Sequence, residues 1–387
     1  MVKFYLFFLI ACFLSISEKV EASITSSLMV GAEQYDTYFP LIKNKRIGVI
    51  VNQTSRAHDQ HLVDFLLAKG EKVSVIFAPE HGFRGDHDAG EKVASGRDNQ
   101  TGVKVYSIYG KNKEPSAEIL KEIDVLIFDV QDVGVRYYTY ISSMHYMMKA
   151  AAKSNTPFIV LDRPNPNGMY VDGPILDKKF QSFVGMHEIP LLHGMTVGEL
   201  SLMINGENWL STPVDLTVIP VKGYRKNMHY SLPIKPSPNL PNDISIAHYA
   251  SLGFFEATPI SIGRGTNFPF QVIGFNDFFI GDFSFTPRSI KGAASSPKLL
   301  GKKLIGQDLR GVATKGLDLS YLIAWFKLFK SNDIEFFIRA SFMDKLAGTD
   351  LLRNQIEQGL SEQEIRRSWQ EGLSKFKTQR KPYLLYN

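Results

Sequence analysis

Short apolar runs alternate with segments of helical spacing between residues 46 and 164, and this alternation constrains the fold more than any other feature. Residues 61–69, 116–123 and 138–154 have helical spacing. The apolar runs, which are rich in β-branched residues, are Arg46–Val51, Lys72–Phe77, Val103–Tyr109, Asp124–Asp129 and Pro157–Asp162. This alternation predicts βαβ units, and nearly continuous apolar strands are typical of a mostly parallel sheet with helices on both faces.

The pattern changes after residue 165, where Pro and Gly become frequent up to about residue 270. Two capping-type sequences, Thr196–Glu199 and Ser361–Glu364, predict helices that run to Ile204 and Phe376. Val214–Val221 has the pattern of a strand, and further strand and helix patterns are irregularly interspersed. We therefore predict a mostly parallel α/β domain up to about residue 170 and an α+β domain after it.

The first 22 residues have the features of a secretory signal peptide. Lys3 is followed by an apolar run over residues 4–16, and small residues flank a cleavage site before Ser23. An uncleaved anchor is disfavoured because a membrane span needs about 20 apolar residues. A lipoprotein modified at Cys12 is a further alternative. We predict an exported protein, periplasmic or secreted, with no stable membrane span after cleavage.

Cysteine content and charge restrict the chemistry. Cleavage before Ser23 would remove the single cysteine, so the mature chain would have neither disulfides nor thiolate metal ligands. The formal net charge of +5 favours an anionic partner such as a cell-wall polymer. No dense block of Lys and Arg is present, so we do not expect a nucleic-acid partner. The oligomeric state is not specified by the sequence.

Polar loops follow four of the predicted strands. In an open parallel sheet, ligands bind outside the carboxyl ends of the strands, so these loops are expected to meet at one edge. They bring carboxylates, guanidinium groups, amides and aromatic rings together, as a binding site requires. The loops are Asn52–Arg56, Ala78–Gly85, Gln131–Tyr140 and Arg163–Gly168.

Glu80 is the first candidate for catalysis. It follows a buried strand and a proline, and a carboxyl group held partly out of water keeps its proton more readily, which suits a general acid. His81 could hydrogen-bond it or contact the substrate. The alternative is a structural ion pair with Arg84 or Arg136. Candidates for a second carboxylate are Asp129, Asp132 and Asp162, which could equally cap helices or pair with arginines.

Metal and cofactor sites have only weak signals. His58 with His61, Glu80 with His81, and His81 with His87 and Asp88 could each supply ligands, but none has the helical spacing of a zincin. No Gly-x-Ser-x-Gly elbow is present, which disfavours a serine esterase. No Gly-rich phosphate loop follows the first strand, so we expect neither a nucleotide nor a dinucleotide cofactor.

Long motifs resemble those of the bacterial exo-β-N-acetylmuramidase family, formerly a domain of unknown function. The resemblance covers nearly the whole mature chain, and this sequence keeps the family's pattern at each of these motifs. The motifs are residues 78–85, residues 129–140, residues 161–166, residues 193–199, residues 237–241, residues 263–268, residues 345–350 and residues 383–386.

The resemblance implies a Rossmann-like domain over residues 23–170 and a smaller α/β domain over residues 171–387 that closes a cleft. It also implies release of N-acetylmuramic acid from the non-reducing end of peptidoglycan fragments, with Glu80 as the catalytic acid. Asp129 and His81 are the further catalytic candidates. Expected substrate contacts are Asn52, Arg84, Gln131, Asp132, Arg136, Tyr137, Asp162, Arg163, Asn165, Asn239, Arg264 and Asn267.

The lactyl carboxylate of this sugar needs a cationic partner, and Arg84, Arg136, Arg163 or Arg264 could bind it bidentately. Retaining, inverting and substrate-assisted routes all remain open. Two other functions also remain open: a non-catalytic protein that binds muropeptides, and a metal-assisted peptidoglycan amidase or deacetylase.

Overall fold

A computed structural model describes residues 28–84, 95–314 and 316–387. The predicted signal peptide, Cys12 and Ser23 lie outside the described residues, as do His87 and Asp88. The strands are β1 (Arg46–Val51), β2 (Arg56–Ala57), β3 (Gln60–His61), β4 (Lys72–Ala78), β5 (Gly96–Arg97), β6 (Lys104–Ser107), β7 (Val125–Asp129), β8 (Phe158–Leu161), β9 (Leu216–Ile219), β10 (Val272–Phe275), β11 (Phe283–Phe285) and β12 (Leu304–Asp308).

In the described part of the chain, seven strands form one sheet in the order β5-β6-β4-β1-β7-β8-β9. All neighbouring pairs are parallel except β5 with β6. Apart from the edge strand β5, this is the strand order of a doubly wound Rossmann sheet. The chain builds the sheet outwards from β1 first on one side and then on the other, and the switch point lies between β1 and β7. Val51 at the end of β1 lies opposite Asp129 at the end of β7, so the loops after both strands emerge at this switch point.

The five strands predicted in the N-terminal half are confirmed within a few residues. Their side chains alternate between two cores, as the two-residue period of a strand requires. In β1, Val49 and Val51 contribute to one core and Ile50 to the other, and all are buried. Both faces of the sheet are therefore covered, which explains why the strands read as continuous apolar runs.

The helices are α1 (Tyr35–Ile42), α2 (Leu62–Ala68), α3 (Ala117–Leu120), α4 (Tyr140–Ser154), α5 (Val197–Gly206), α6 (Asp243–Leu252), α7 (Ser320–Ser331), α8 (Ala340–Ala347), α9 (Leu351–Glu357), α10 (Glu362–Ser368) and α11 (Gln370–Gln379). Short 3₁₀ segments lie at Gly31–Glu33, Lys178–Phe180, Gly253–Ala257 and Lys381–Tyr383. Residues of α1 and α2 pack on one face of the sheet, and those of α4 and α5 pack on the other.

Both predicted capping boxes are present, at Thr196 before α5 and at Ser361 before α10. The helix predicted from Ser361 to Phe376 is divided into α10 and α11 at Trp369, whose backbone leaves helical geometry. Sequence analysis missed the helices α1, α8 and α9 and the strands β2, β3, β5 and β12.

The second half of the chain contains a three-stranded antiparallel sheet, β10-β12-β11, and helices α6 to α11. It shares a core with the first half, because Phe128 of β7 and Trp325 of α7 belong to the same apolar cluster. The large sheet takes its last strand, β9, from beyond residue 170. Among the described residues, no helix is both long and apolar enough to cross a membrane.

Candidate active site

A cleft of about 610 Å³ lies where the loops after β4 and β7 face the second half of the chain. The first wall comes from Glu80, His81, Tyr109 and residues 137–140. The remaining lining residues belong to later parts of the chain: Phe183, Val184, Ser237, Asn239, Leu240, Tyr249, Gly253, Glu256, Arg264, Phe270, Arg339, Phe342 and Leu346. The cleft therefore joins the carboxyl edge of the sheet to segments that are remote in sequence.

Glu80 lies in a tight turn directly after β4. Gly82 N donates to Pro79 O at 3.0 Å, which closes the turn. His81 has a φ of 68°, a left-handed value that non-glycine residues adopt rarely, and its side chain is buried at the cleft wall. Such backbone strain is concentrated at functional sites, where the surrounding structure maintains it.

The carboxyl group of Glu80 is held on both oxygens. Tyr109 Oη donates to Oε1 at 2.9 Å, and Thr139 Oγ1 donates to Oε2 at 2.7 Å. Burial, reinforced by the charge of Glu80, raises the pKa of Tyr109, so its phenol remains a donor. Each carboxylate oxygen can accept more than one hydrogen bond, so the group can still exchange a proton with a ligand in the cleft.

Arg264 and Glu256 form an ion pair on the opposite side, with Arg264 Nε 2.7 Å from Glu256 Oε1. Burial opposes the charge of Arg264, but Glu256 outweighs it and holds the pKa of Arg264 above its ordinary value. Burial likewise opposes the charge of Glu256. Arg264, Lys298 and Arg339 outweigh it and hold the pKa of Glu256 below its ordinary value.

Tyr137 and Asn239 reach the cleft but are also used structurally. Tyr137 Oη lies 2.7 Å from Tyr249 O and 2.9 Å from Ala250 O, and Asn239 Nδ2 donates to Ala293 O at 2.7 Å. With Glu80, His81 and Arg264, these are the predicted site residues that the structure brings to the cleft.

Asp129 and Arg163 form a buried pair beneath the loops. Arg163 Nε donates to Asp129 Oδ1 at 2.5 Å and Nη2 donates to Oδ2 at 2.8 Å. Arg163 Nη2 also donates to Arg56 O at 2.9 Å. Asp129 is fully buried and does not line the cleft, so its predicted catalytic role is replaced here by a structural one.

Arg136 is fully buried despite its charge. Its Nη1 donates to Pro174 O and Ile189 O, each at 2.7 Å. Its Nη2 donates to Leu346 O at 3.2 Å and to Ala347 O at 2.5 Å. Burial lowers the pKa of Arg136 to about 9. These four carbonyls all lie beyond residue 170, so Arg136 fastens the loop after β7 to two later segments and is not available to a substrate carboxylate.

Asp132 is also buried, and burial raises its pKa to about 7 against the opposing amides of Gly134 and Val133. Its Oδ2 accepts Gly134 N at 2.6 Å, and His193 Nε2 lies 3.8 Å from the same oxygen. The structure therefore places Asp132 behind the cleft rather than on its surface.

Three predicted contacts shape the loops around Asp132. Gln131 Nε2 donates to Pro164 O at 2.7 Å, and Asn165 Nδ2 donates to Met195 O at 2.8 Å. Asn52 Oδ1 accepts Thr54 N at 2.9 Å. All three side chains are buried and outside the cleft lining, so they hold the loops rather than a ligand.

The last three predicted contacts lie farther away. Asp162 is buried and accepts hydrogen bonds from Thr196, Gly198 and Tyr386. Arg84 Nη2 donates to both oxygens of Asp98 at 3.1 Å, so its guanidinium group is already paired. Asn267 is exposed, and neither it nor Arg84 lines the cleft.

Sequence analysis missed Tyr109, Thr139, Glu256 and Arg339. Tyr109 ended a predicted strand and Thr139 lay within a quoted loop, so the carboxyl-edge rule could have identified both. Glu256 and Arg339 had no local signal, because only the packing of the second half brings them to the cleft.

The proposed metal ligands do not assemble within the described residues, where no group of three His, Cys, Asp or Glu side chains could hold an ion. His61, one of them, instead caps α2 through its Nδ1 and hydrogen-bonds Asn52 O through Nε2 at 2.8 Å. His87 and Asp88 lie outside the described residues.

Comparison with protein families gives two adjacent matches. The model described as "Exo-beta-N-acetylmuramidase NamZ, N-terminal" matches residues 47–244, and the corresponding C-terminal model matches residues 247–386. A Bacillus subtilis (strain 168) protein, Peptidoglycan beta-N-acetylmuramidase NamZ, is 40% identical over 371 residues, which cover 90% of this chain and 89% of that protein.

Two crystal structures of DUF1343 family proteins from Bacteroides fragilis NCTC 9343 are similar to this structure. One has a TM-score of 0.86 and 47% identity, and the match covers 94% of this chain and 99% of that chain. The other has a TM-score of 0.82 and 30% identity, with coverage of 93% and 99%. The similarity therefore extends over both halves of the fold.

Proposed function

The chain belongs to the exo-β-N-acetylmuramidase NamZ family, and we propose that it releases N-acetylmuramic acid from the non-reducing end of peptidoglycan fragments with Glu80 as the general acid. Family membership makes it a glycosidase. The observation that carries the assignment of Glu80 is its carboxyl group at the cleft wall, held on both oxygens by Tyr109 and Thr139.

Cleavage of a glycosidic bond needs a proton on the departing sugar oxygen, since an alkoxide is a poor leaving group. In this proposal Glu80 transfers its proton to that oxygen and becomes a carboxylate. Tyr109 and Thr139 then stabilise the new charge, because both side chains already donate to its oxygens. The partly exposed aromatic side chains of Phe183, Tyr249 and Phe342 supply apolar surface for the sugar ring.

Glu80→Gln tests this role. The variant keeps the shape of the side chain and removes the acidic proton, so we expect hydrolysis of a muramyl disaccharide to fall about 10²- to 10⁴-fold. A nitrophenyl N-acetylmuramide has a better leaving group and needs less protonation, so its hydrolysis should fall much less. The measurement is kcat/KM on both substrates.

The matched control is Glu371→Gln, since Glu371 lies on the exposed face of α11 and its side chain is 81% exposed. It should retain activity on both substrates. Equal losses on the two substrates in Glu80→Gln would assign Glu80 to positioning instead of proton transfer. Full activity on the disaccharide would remove it from the mechanism.

The proposal includes export, since peptidoglycan lies outside the cytoplasmic membrane. Support comes from the signal-peptide features of residues 1–22. The intact mass of the protein recovered from outside the cytoplasm should match a chain that begins at Ser23. A mass that retains residues 1–22 would contradict cleavage there.

A further inference from the structure

Of the four arginines considered for the lactyl carboxylate, the structure leaves one in a position to bind it. Arg84 is paired with Asp98, and Arg163 is paired with Asp129. Arg136 is fully buried and donates only to backbone carbonyls among the described residues. Arg264 alone of the four lines the cleft that contains Glu80.

The guanidinium group of Arg264 is held in place with its outer edge unused. Its Nε donates to Glu256 at 2.7 Å, and its Cζ lies 5.0 Å from the centroid of the Phe270 ring. Within residues 28–84, 95–314 and 316–387, Nη1 and Nη2 have no hydrogen-bond acceptor. The side chain remains 26% exposed. This leaves two adjacent donors in the planar fork that suits a carboxylate.

The surrounding charge favours an anion in spite of Glu256. Lys298 and Arg339 also act electrostatically on Glu256, so three cations accompany this one carboxylate. Lys298 Nζ is fixed by Phe255 O at 2.7 Å and Thr258 O at 2.6 Å. Arg339 is exposed and lines the cleft. A second carboxylate can therefore approach Arg264 without meeting a net negative wall.

The placement of Arg264 and Glu80 in one cleft suits a single sugar ring bound by both side chains. Arg264 and Glu80 line the same cleft, and Glu80 is close enough to contribute to the electrostatic environment of Arg264. In N-acetylmuramic acid the lactyl ether is on carbon 3 and the scissile bond is on carbon 1 of the same ring. An acid and an anion-binding group must therefore lie within reach of one ring.

We propose that Arg264 binds the lactyl carboxylate and thereby selects N-acetylmuramic acid over N-acetylglucosamine, with Glu256 and Phe270 as the residues that position its guanidinium group. The inference rests on the proposed function, since it assumes that a muramyl sugar occupies the cleft. It assigns selectivity, not proton transfer, to this side chain.

Arg264→Gln is tested on three nitrophenyl glycosides: the N-acetylmuramide, the same compound with its lactyl carboxyl converted to a carboxamide, and the N-acetylglucosaminide. The wild type should have a higher kcat/KM on the acid than on the carboxamide by about ten- to one-hundredfold, the range of a hydrogen bond to a charged group. Arg264→Gln should lose that preference, and its kcat/KM on the acid should fall towards the value for the glucosaminide, which has no carboxyl group.

The acid-to-carboxamide ratio is measured within one enzyme preparation, so a reduced folded fraction in the variant cancels. Arg310→Gln is the matched control, because Arg310 also pairs with a carboxylate, Asp308, and stacks on Phe268, but outside the cleft. It should retain the wild-type ratio.

The possible failures are distinguishable. A wild type that hydrolyses neither muramide would overturn the proposed function itself. A wild type that hydrolyses the acid and carboxamide equally, or an Arg264→Gln variant that keeps the preference, would overturn the role of Arg264 and leave the muramidase assignment standing.

Discussion

At the residue scale, burial separates the charged side chains that can act on a substrate from those that hold the fold. Glu80 and Arg264 reach the cleft, whereas Asp129 and Arg163 satisfy each other in the interior. A buried ion pair contributes little net stability when it is complete, but removal of one partner leaves a charge in a medium that solvates it poorly.

Asp129→Asn should therefore act on stability. We expect the free energy of unfolding to fall by about 3–5 kcal/mol, because Arg163 would remain charged without its carboxylate partner. Chemical denaturation measures the loss. The double variant Asp129→Leu with Arg163→Met, which removes both charges, should recover a large part of it. An Asp129→Asn protein of normal stability but without turnover would return Asp129 to the catalytic group.

Sequence reasoning singled out Glu80 because its signal is local: it follows a buried strand and a proline at the carboxyl edge of the sheet. It could not separate Arg264 from Arg84, Arg136 and Arg163, since the four differ only in the partners that folding brings to them. Asp132 was misplaced for the same reason, because a loop residue predicted to face a ligand is buried behind the cleft.

At the element scale, a pair of buried histidines joins α4 to the segment before α5. His187 Nε2 lies 3.0 Å from His145 Nδ1, and His187 stacks on Trp209 with ring centroids 5.0 Å apart. Burial, with Lys149 adding to it, lowers the pKa of His145 to about 4. Burial also holds the pKa of His187 well below its ordinary value. Both rings are therefore neutral in the folded protein near neutral pH.

The buried histidine pair predicts that the folded protein loses stability in acid. Between the ordinary histidine pKa of 6.5 and the folded value of about 4, His145 is protonated in the unfolded chain and neutral in the folded protein. The free energy of unfolding therefore falls as the pH falls through this range. His145→Asn should make the slope of unfolding free energy against pH shallower in this window by about 1.4 kcal/mol per pH unit. Denaturant titrations from pH 7 to pH 5 measure the slope.

The control is His229→Asn, because the His229 side chain is 81% exposed, and the slope change in His145→Asn should exceed that in this variant. An unchanged slope in His145→Asn would mean that His145 binds its proton as readily in the folded protein as in the unfolded chain.

The strands differ in how well the sequence alone predicts them. Strands β1, β4, β7 and β8 were predicted because a buried strand has an unmistakable apolar run. A strand was also predicted over residues 214–221, but it was assigned to the second domain, whereas β9 pairs with β8 in the large sheet. Strand pairing across a long connection leaves no mark in local periodicity.

At the scale of the whole molecule, the C-terminal residues fasten onto the first sheet. Tyr386 Oη donates to Asp162 Oδ2 at 2.6 Å and accepts Val221 N at 2.7 Å. Glu199 Oε1 accepts the backbone amide of Leu385 at 2.8 Å. Burial raises the pKa of Asp162 to about 6, against the opposing hydrogen bonds from Tyr386, Thr196 and Gly198.

Tyr386→Phe removes one hydroxyl and leaves two buried groups with a lost partner. We expect the free energy of unfolding to fall by about 1–3 kcal/mol, the range for an unsatisfied buried polar group. Tyr383→Phe is the control. Tyr383 Oη donates to the partly exposed Glu207 at 2.8 Å, and water can replace this hydrogen bond. Chemical denaturation measures both variants. Equal losses of stability would contradict a special role for the Tyr386 hydroxyl.

The sequence by itself determined the alternation of strands and helices, the polar loops at the carboxyl edge, and the position of Glu80 on one of them, because each depends on neighbours along the chain. Only the tertiary structure decided which charges are buried and which face the cleft. The Asp162–Tyr386 contact spans 224 residues and the Arg136–Ala347 contact spans 211. Such partners are chosen by the packing of the two halves, and no local pattern encodes them.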